Sequence, residues 1–380
     1  MTLVDIISLF LKASLLLSFI LIVVLVLTLA ERKALARIQQ RKGPNRVGFK
    51  GFLQPLADAL KLLTKEDILP SSANKRIFWI APLAVFLPGF LIWVTIPIAQ
   101  EIVLSNLDMG LFYITAISVL SVMGLLMAGW GSANKWAMIG GLRAAGQLIS
   151  YEIPFIMAIL SIAILAQSFN LKDIVDYQGA WPFAFKQPLG LFIFLTAGLA
   201  ELGRTPFDIH HAESEVVGGP FVEYSGAHWS VFYLAEYMNT FTVAVLTVIL
   251  FLGGWQSPTM PFTGTLHMVV SLIWFLMKTT LVIWVIFWIR GTYPRLRIDQ
   301  LMSFGWKILV PASFINIFLT ASVLYYGLGE WVITIISLFL IAATFYFIRR
   351  GSLAKTKEDT VRVIRADDIR AQLSSGAEVR

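Results

Sequence analysis

Long runs of apolar residues, each about the length of a membrane-spanning helix, recur along most of this chain. A bilayer core about 30 Å thick needs about 20 apolar residues in helical form to cross it. Of the 380 residues, 57% are hydrophobic and 14% are charged, whereas a soluble domain carries about 25% charged residues. Because a lipid core cannot satisfy free backbone polar groups, the sequence predicts an all-α, polytopic membrane protein.

The apolar runs predict about nine transmembrane helices. We place them at about 6–30, 77–99, 111–130, 144–166, 189–200, 233–252, 268–289, 308–326 and 331–348. This pattern indicates a single transmembrane domain, 1–348, and a polar cytoplasmic tail, 349–380. The first run is too long for a signal peptide, and Glu31-Arg32-Lys33 follows it where a cleavage site would stand.

Basic residues are distributed unevenly between the loops. Of the 30 Lys and Arg residues, 26 lie in alternate loops and in the tail, namely 31–76, 131–143, 203–232, 290–307 and 349–380. This asymmetry follows the positive-inside rule, so we expect the N-terminus outside and the C-terminus in the cytoplasm. Because these charges follow membrane topology, we expect no nucleic-acid partner.

The first basic loop contains an amphipathic segment at about 52–64. Its leucines fall on one face of a helix: Leu53, Leu56, Leu60 and Leu63. The pattern predicts an interfacial helix. Two roles for the loop stay open: anchoring to lipid headgroups, or docking of a soluble partner with the helix as the floor of a cavity.

Carboxylates are concentrated where an apolar chain should avoid them. Residues 200–237 carry six, against the single Arg204, and most of them lie in a predicted cytoplasmic loop at about 203–232. Glu152 is expected about nine residues inside a helix that starts near Arg143. Shielded carboxyl groups exchange protons near neutral pH, so these residues are candidates for a proton path. There are two alternatives. Glu152 could be a structural residue paired with a neighbouring polar group, and Glu201 and Glu236 could lie at the membrane interface, near the ends of their spans.

The absence of cysteine excludes disulfides, thiol catalysis and thiolate iron–sulfur ligation in this chain. Any redox centre must therefore belong to a partner. His210 and His211 are adjacent and point in different directions in a regular helix or strand, so they are poor joint metal ligands. A metal site with Glu213 and Glu215 stays an alternative, but no metal is expected.

Four segments, in order, carry a specific resemblance. They read AERKALARIQQRKGPNRVG with QPLADALKLLTKED; LRAAGQLISYE; AELGRTPFD with AESE and EYSG; and IRGTYPRLRIDQLM. Together they resemble the membrane subunit family that carries the quinone-site entrance in respiratory complex I, the proton-pumping NADH:quinone oxidoreductase. The resemblance covers residues 30 to about 302.

The resemblance implies a position between a hydrophilic arm and a membrane arm, in the inner membrane of a prokaryote or an equivalent energy-transducing membrane. The first span, the amphipathic helix and the sixth span would frame a quinone tunnel, and five middle helices would resemble half of an antiporter-type channel. The implied partners are the hydrophilic-arm subunits, small membrane subunits and antiporter-like subunits. Iron–sulfur clusters, flavin and NADH would belong to partners, and quinone would be a shared substrate, so no cofactor is expected on this chain alone.

The resemblance also implies site residues. The implied proton path consists of Glu152, Glu201, Glu213, Glu215, Glu223 and Glu236. The implied quinone-side residues are Glu31, Arg32, Asp208, Arg295 and Arg297.

The chain departs from the family pattern at Gly203, where Asn is usual, at His211, where a carboxylate is usual, and at Gly219-Pro220. Two other functions therefore stay open. One is a membrane anchor of a related energy-converting hydrogenase or ferredoxin-linked complex. The other is a stand-alone secondary transporter, which the large basic loop disfavours.

Overall fold

The structure is a computed structural model, and it describes residues 3–99, 102–179, 181–209, 213–256, 265–344 and 346. Within these residues the regular structure is helical. Seven helical stretches are long and apolar enough to cross a membrane, and two shorter apolar helices, Pro188–Glu201 and Trp331–Thr344, accompany them. The predicted all-α polytopic class is confirmed.

Fifteen α-helices are numbered in chain order. They are α1 Leu3–Ile38, α2 Gln54–Thr64, α3 Lys75–Ile92, α4 Gly110–Ser118, α5 Leu120–Gly131, α6 Lys135–Ala166, α7 Leu171–Gln178, α8 Phe183–Lys186, α9 Pro188–Glu201, α10 Glu213–Val216, α11 Gly226–Phe251, α12 Thr265–Thr292, α13 Ile298–Phe304, α14 Val310–Tyr325 and α15 Trp331–Thr344. Short 3₁₀ turns at Phe49–Gly51 and Gly219–Phe221 and a π turn at Gly305–Leu309 complete the set.

Three helices extend well beyond the predicted spans, and these extensions correct the sequence analysis. α1 continues to Ile38, so Glu31 lies on a helix and not in a loop. α6 begins at Lys135, because the Asn134 side chain caps it by accepting a hydrogen bond from the Trp136 N–H. Glu152 is therefore nearer the middle of α6 than the expected nine residues from its start. α11 begins at Gly226, which places Glu236 inside the helix and not at its end.

α6 and α11 form the buried centre of the described bundle. α6 packs against α5, α9 and α14, while α11 packs against α1, α3 and α12. Aromatic stacking joins the neighbours: the rings of Phe155 and Phe194 lie 4.7 Å apart, and those of Trp93 and Phe241 lie 4.8 Å apart. The two central helices therefore carry their polar side chains into protein and not into lipid.

The acidic loop before α11 packs on the first half of α6. Phe207, Ile209 and Val216 are buried. A Cβ on Gly140 would lie 2.4 Å from the Gly219 Cα, so only glycine allows this approach of the two backbones. The loop is thus held against protein, which agrees with its low content of Lys and Arg.

Helix α2 is amphipathic, as predicted. Its leucine face is exposed on the described chain: Leu53, Leu56, Leu60 and Leu63. Its opposite face turns toward the body of the protein, where Asp58 forms an ion pair with Arg32 of α1. This orientation suits a helix in the interface, because the apolar face meets lipid and the polar face meets protein.

Candidate functional site

A buried cluster of charges joins three distant parts of the chain. Glu31 is 2% exposed, and the Arg204 guanidinium, also 2% exposed, donates to its Oε1 at 2.5 Å. Arg290 of α12 donates to the same oxygen. A buried carboxylate is tolerated when it is paired and hydrogen-bonded, and the two arginines satisfy Glu31 Oε1, while Oε2 is buried without a hydrogen-bond partner among the described residues. Glu31 thereby ties α1 to α12 and to the turn after α9.

Arg204 also faces α11. Its Nη2 lies 3.3 Å from a carboxylate oxygen of Glu236, and its guanidinium carbon lies 4.5 Å from the centre of the Tyr237 ring. The Tyr237 hydroxyl accepts a hydrogen bond from the Tyr233 hydroxyl at 3.2 Å. A single arginine therefore connects the buried carboxylate of α1 with a carboxylate and two phenols of α11.

Beside this cluster lies a chamber of about 500 Å³ between α1, α2 and the start of α11. Three cations and one carboxylate line it, together with aromatic and small residues: Arg32, Asp58, Lys61, Leu62, Lys65, Tyr224, Ser225, Gly226, Trp229 and Tyr233. Cavities of about 300–1,000 Å³ accept drug-sized ligands. The combination of aromatic walls and cationic donors suits a flat, apolar molecule that carries acceptor oxygens.

Asp58 organises the chamber floor. Partial burial raises the pKa of Asp58, but hydrogen bonds from Arg32 and Gln54 outweigh this effect and hold the pKa below its ordinary value. The Asp58 carboxyl therefore stays ionised near neutral pH. It fixes the Arg32 side chain at the chamber wall, where the remaining guanidinium N–H groups face the space.

Two smaller cavities continue inward from the chamber. The first, of about 70 Å³, shares Trp229 and Tyr233 with the chamber and is also lined by Glu201, Glu236 and Asn239. It has room for several water molecules, since one water needs about 10–15 Å³ of such volume. Among the described residues, one carboxylate oxygen of Glu201 is buried without a hydrogen-bond partner.

The second cavity, of about 30 Å³, shares Glu201 and Asn239 with the first and reaches Ser118 of α4. The Ser118 hydroxyl lies 3.4 Å from the Glu152 carboxylate, and Glu152 is also within electrostatic range of Glu201. The structure thus brings three of the six predicted proton-path residues into one series: Glu236, Glu201 and Glu152.

Two of the other predicted acids, Glu215 and Glu223, are absent from the residues that line these cavities. Glu215 accepts a hydrogen bond from Arg143 at 2.5 Å, and Glu223 accepts one from Asn134 at 2.6 Å. Both partners belong to the beginning of α6. Glu213 starts the short helix α10, and its side chain lies outside the described residues, as do His210 and His211. The two described acids tie the loop to α6.

Of the predicted quinone-side residues, Arg32 lines the chamber and Glu31 lies in the charge cluster behind it. Arg295 reaches the Ile209 carbonyl at 3.4 Å, and Arg297 caps α13. Asp208, which directly precedes Ile209 in the loop after α9, is partly buried. Within the described residues, no group of three or more His, Asp or Glu side chains could hold a metal ion.

Sequence reasoning missed several residues that complete the site: Asp58, Tyr233, Asn239 and Arg290. Asp58 and Arg290 resembled ordinary surface charges. A lone Arg204 among six carboxylates was a usable signal for a buried ion pair.

Gly203 has a φ of +60°, which glycine and asparagine both adopt readily, so this departure from the family pattern preserves the backbone conformation.

Comparison with known proteins agrees with this geometry. The family model described as NADH dehydrogenase matches residues 11–321. The chain belongs to this family. Its relatives include proteins named as the H-type subunit of NADH-quinone oxidoreductase. That of Dehalococcoides mccartyi (strain CBDB1) is 46% identical over 303 residues, which is 80% of this chain and 83% of the relative.

Two further family members carry the same name. The relative from Geobacillus kaustophilus is 48% identical over 296 residues, 78% of this chain and 87% of its own. The relative from Brevibacillus brevis is 47% identical over 300 residues, 79% of this chain and 88% of its own. The family match covers the chamber, both cavities and the charge cluster, and it ends before α15.

Proposed function

We propose that this chain is the quinone-site-forming, proton-coupling membrane subunit of a complex I-type NADH:quinone oxidoreductase. The names of its family relatives support this assignment. The single observation that carries the mechanism is the series of three cavities that leads from a cationic chamber to Glu152. The chain supplies no redox centre to this function; electrons would arrive from an iron–sulfur cluster of a hydrophilic-arm partner.

The chamber is where the quinone would pass. Its aromatic wall, Tyr224 and Trp229, suits the flat ring, while Arg32, Lys61 and Lys65 suit the carbonyl oxygens. Reduction of a quinone consumes two electrons and two protons. Negative charge that develops on the quinone oxygens before protonation is stabilised by these cations, and this charge also changes the field on the neighbouring acids.

The cavities are where the coupling would occur. Glu236 and Glu201 line the first cavity, Glu201 also lines the second, and Ser118 of the second cavity lies 3.4 Å from Glu152. Interacting carboxyl groups titrate as a set. A change of charge in the chamber therefore shifts proton occupancy along the series toward Glu152. Antiporter-like partner subunits would receive this change in the membrane arm. The proposed orientation has the chamber at the cytoplasmic side, with the N-terminus outside and the C-terminus inside.

The test uses the native assembly. The tagged full-length chain is purified with its partners, reconstituted into vesicles and exposed to a photoreactive quinone. We expect iron–sulfur partners, quinone reduction accompanied by proton movement, and labelling of segments 54–65 and 224–233, which line the chamber. A homo-oligomer without iron–sulfur partners would contradict the proposal. A hydrogenase-type partner set without labelling of the chamber would favour the membrane-anchor alternative.

A further inference from the structure

Two side chains form the partition between the chamber and the first cavity. Trp229 and Tyr233 line both spaces, and their rings stack with centroids 5.1 Å apart and planes 21° apart. They lie one helical turn apart on α11, so the backbone holds them in register. Any exchange between the two spaces along this route must pass this pair.

The two members of the partition differ in chemistry. The Trp229 indole N–H only donates a hydrogen bond, whereas the Tyr233 hydroxyl both donates and accepts. A group that passes a proton onward must accept one proton while it releases another. Tyr233 meets this requirement and Trp229 does not.

The Tyr233 hydroxyl interacts with polar groups on both sides of the partition. On the chamber side it interacts with the Arg32 guanidinium, which is paired with Asp58. On the inner side it donates to the Tyr237 hydroxyl at 3.2 Å, and the Tyr237 ring lies against the Arg204 guanidinium. The phenol therefore joins the hydrogen-bonded groups of the chamber to those of the acid series.

We infer that Tyr233 is a relay residue, through which protons pass between the chamber and the cavity of Glu201 and Glu236. In one passage the phenol oxygen accepts a proton from the chamber side and releases its own proton to the Tyr237 hydroxyl or to cavity water. The phenol ends as it began, with no change in charge or oxidation state. This inference rests on the proposed function.

The test is Tyr233→Phe in the whole complex, reconstituted in vesicles. The substitution keeps the stacked ring and removes the hydroxyl, so we expect the apparent KM for quinone to be unchanged. Coupled turnover should fall about three- to tenfold, below the 10²–10⁴-fold typical of positioned acid–base groups because water can bypass the phenol in part. The solvent deuterium isotope effect on turnover should rise, a change that loss of a purely structural contact would not produce.

A matched control removes another phenol that bonds to a charged group. Tyr177 donates to Glu330 at 3.1 Å near the start of α15, away from the chamber, and Tyr177→Phe should leave turnover, coupling and the isotope effect at wild-type values. Wild-type turnover and isotope effect in Tyr233→Phe would overturn the inference. A raised KM with unchanged pumping per electron would also overturn it, because that result assigns Tyr233 to the chamber wall alone.

Two further variants keep the test decisive. If Tyr233→Phe assembles poorly, Tyr237→Phe removes the acceptor of the same hydrogen bond and should reduce coupled turnover similarly; a wild-type result there overturns the inference. Glu201→Gln separates the inference from the proposed function. Loss of coupling in Glu201→Gln with normal Tyr233→Phe refutes the relay alone, whereas normal coupling in both variants refutes the proposed function as well.

Discussion

Glu201 and Glu215 belong to the same stretch of chain, yet their surroundings are opposite. Glu215 is held by Arg143 at 2.5 Å, and 43% of its side chain is exposed. Glu201 faces two small cavities, and one of its oxygens is buried without a partner among the described residues. The first environment pairs the carboxylate with a cation, whereas the second places it beside cavity space.

The same contrast separates the remaining acids. Glu31 and Glu223 are each held by a hydrogen bond of 2.6 Å or less, although the second oxygen of Glu31 is, like that of Glu201, buried without a partner among the described residues. Glu236 is intermediate, because it lines the first cavity and lies 3.3 Å from Arg204. Position in an acidic segment is therefore a poor guide to role. We propose that the partners of each carboxylate, and not its position in the segment, separate the structural acids from those of the proton path.

The largest effect is expected where a paired acid is fully buried. Glu31→Gln would remove the carboxylate that pairs with Arg290 and would leave Arg204 with Glu236 alone, and breaking a buried ion pair costs about 3–5 kcal/mol of stability. Thermal unfolding and yield of the purified complex measure this loss. The matched variant Glu330→Gln breaks the more exposed ion pair with Lys186 and should cost about 1 kcal/mol or less. Equal effects in the two variants would contradict the proposed role of burial.

The second-largest effect is expected at Glu201, which lines both small cavities. Glu201→Gln keeps the side-chain shape and removes the exchangeable charge, so coupled turnover should fall roughly tenfold or more while the complex stays assembled. Proton movement per quinone reduced, measured in vesicles beside thermal stability, checks both parts. Wild-type pumping would remove Glu201 from the proton path. A loss of assembly would instead place it with the structural acids.

Much of the bundle could be predicted from the sequence, because membrane spans depend on local composition. The predicted spans fall on the observed apolar helices, including the short α9 that ends at Glu201. The helix ends were less accurate. The Asn134 side chain caps α6 and begins it inside the segment 131–143, which we predicted as a loop.

The pairing of charges could not be predicted. Glu31 meets Arg204 and Arg290 across 173 and 259 residues of sequence. Each of these side chains looks like an ordinary interfacial charge in its own segment, and tertiary packing alone brings them together. Tyr233 illustrates the same limit, since its role depends on two cavities that no local pattern reveals.

A smaller effect is expected at the chamber floor. Asp58→Asn releases Arg32, and the partly exposed pair is worth about 1 kcal/mol or less, so the apparent KM for quinone should rise by about two- to fivefold. Because the pKa of Asp58 is lowered in the folded protein, the stabilisation from its ion pair with Arg32 is present above the ordinary pKa of about 3.9. This stabilisation is lost only as the pH falls through the pKa of Asp58 in the folded protein. The change in KM should therefore be equal at about pH 6 and pH 8.

Steady-state kinetics with a short-chain quinone measure this change. Asp173→Asn is the control, because Asp173 lies in α7, outside the residues that line the chamber. A KM effect that disappears between the two pH values would show that Asp58 titrates there and would contradict the assignment of a permanently ionised carboxylate.

The smallest effect is expected at Glu215, the acid that is paired with Arg143. Glu215→Gln should leave pumping unchanged, and a double-mutant cycle with Arg143→Gln should give a coupling energy of at most about 1 kcal/mol. The cycle distinguishes the two roles of Glu215. If Glu215 only ties the loop to α6, its substitution has no further effect once Arg143 is replaced. If it carries protons, Glu215→Gln impairs pumping in either background, and the division between paired acids and cavity acids fails.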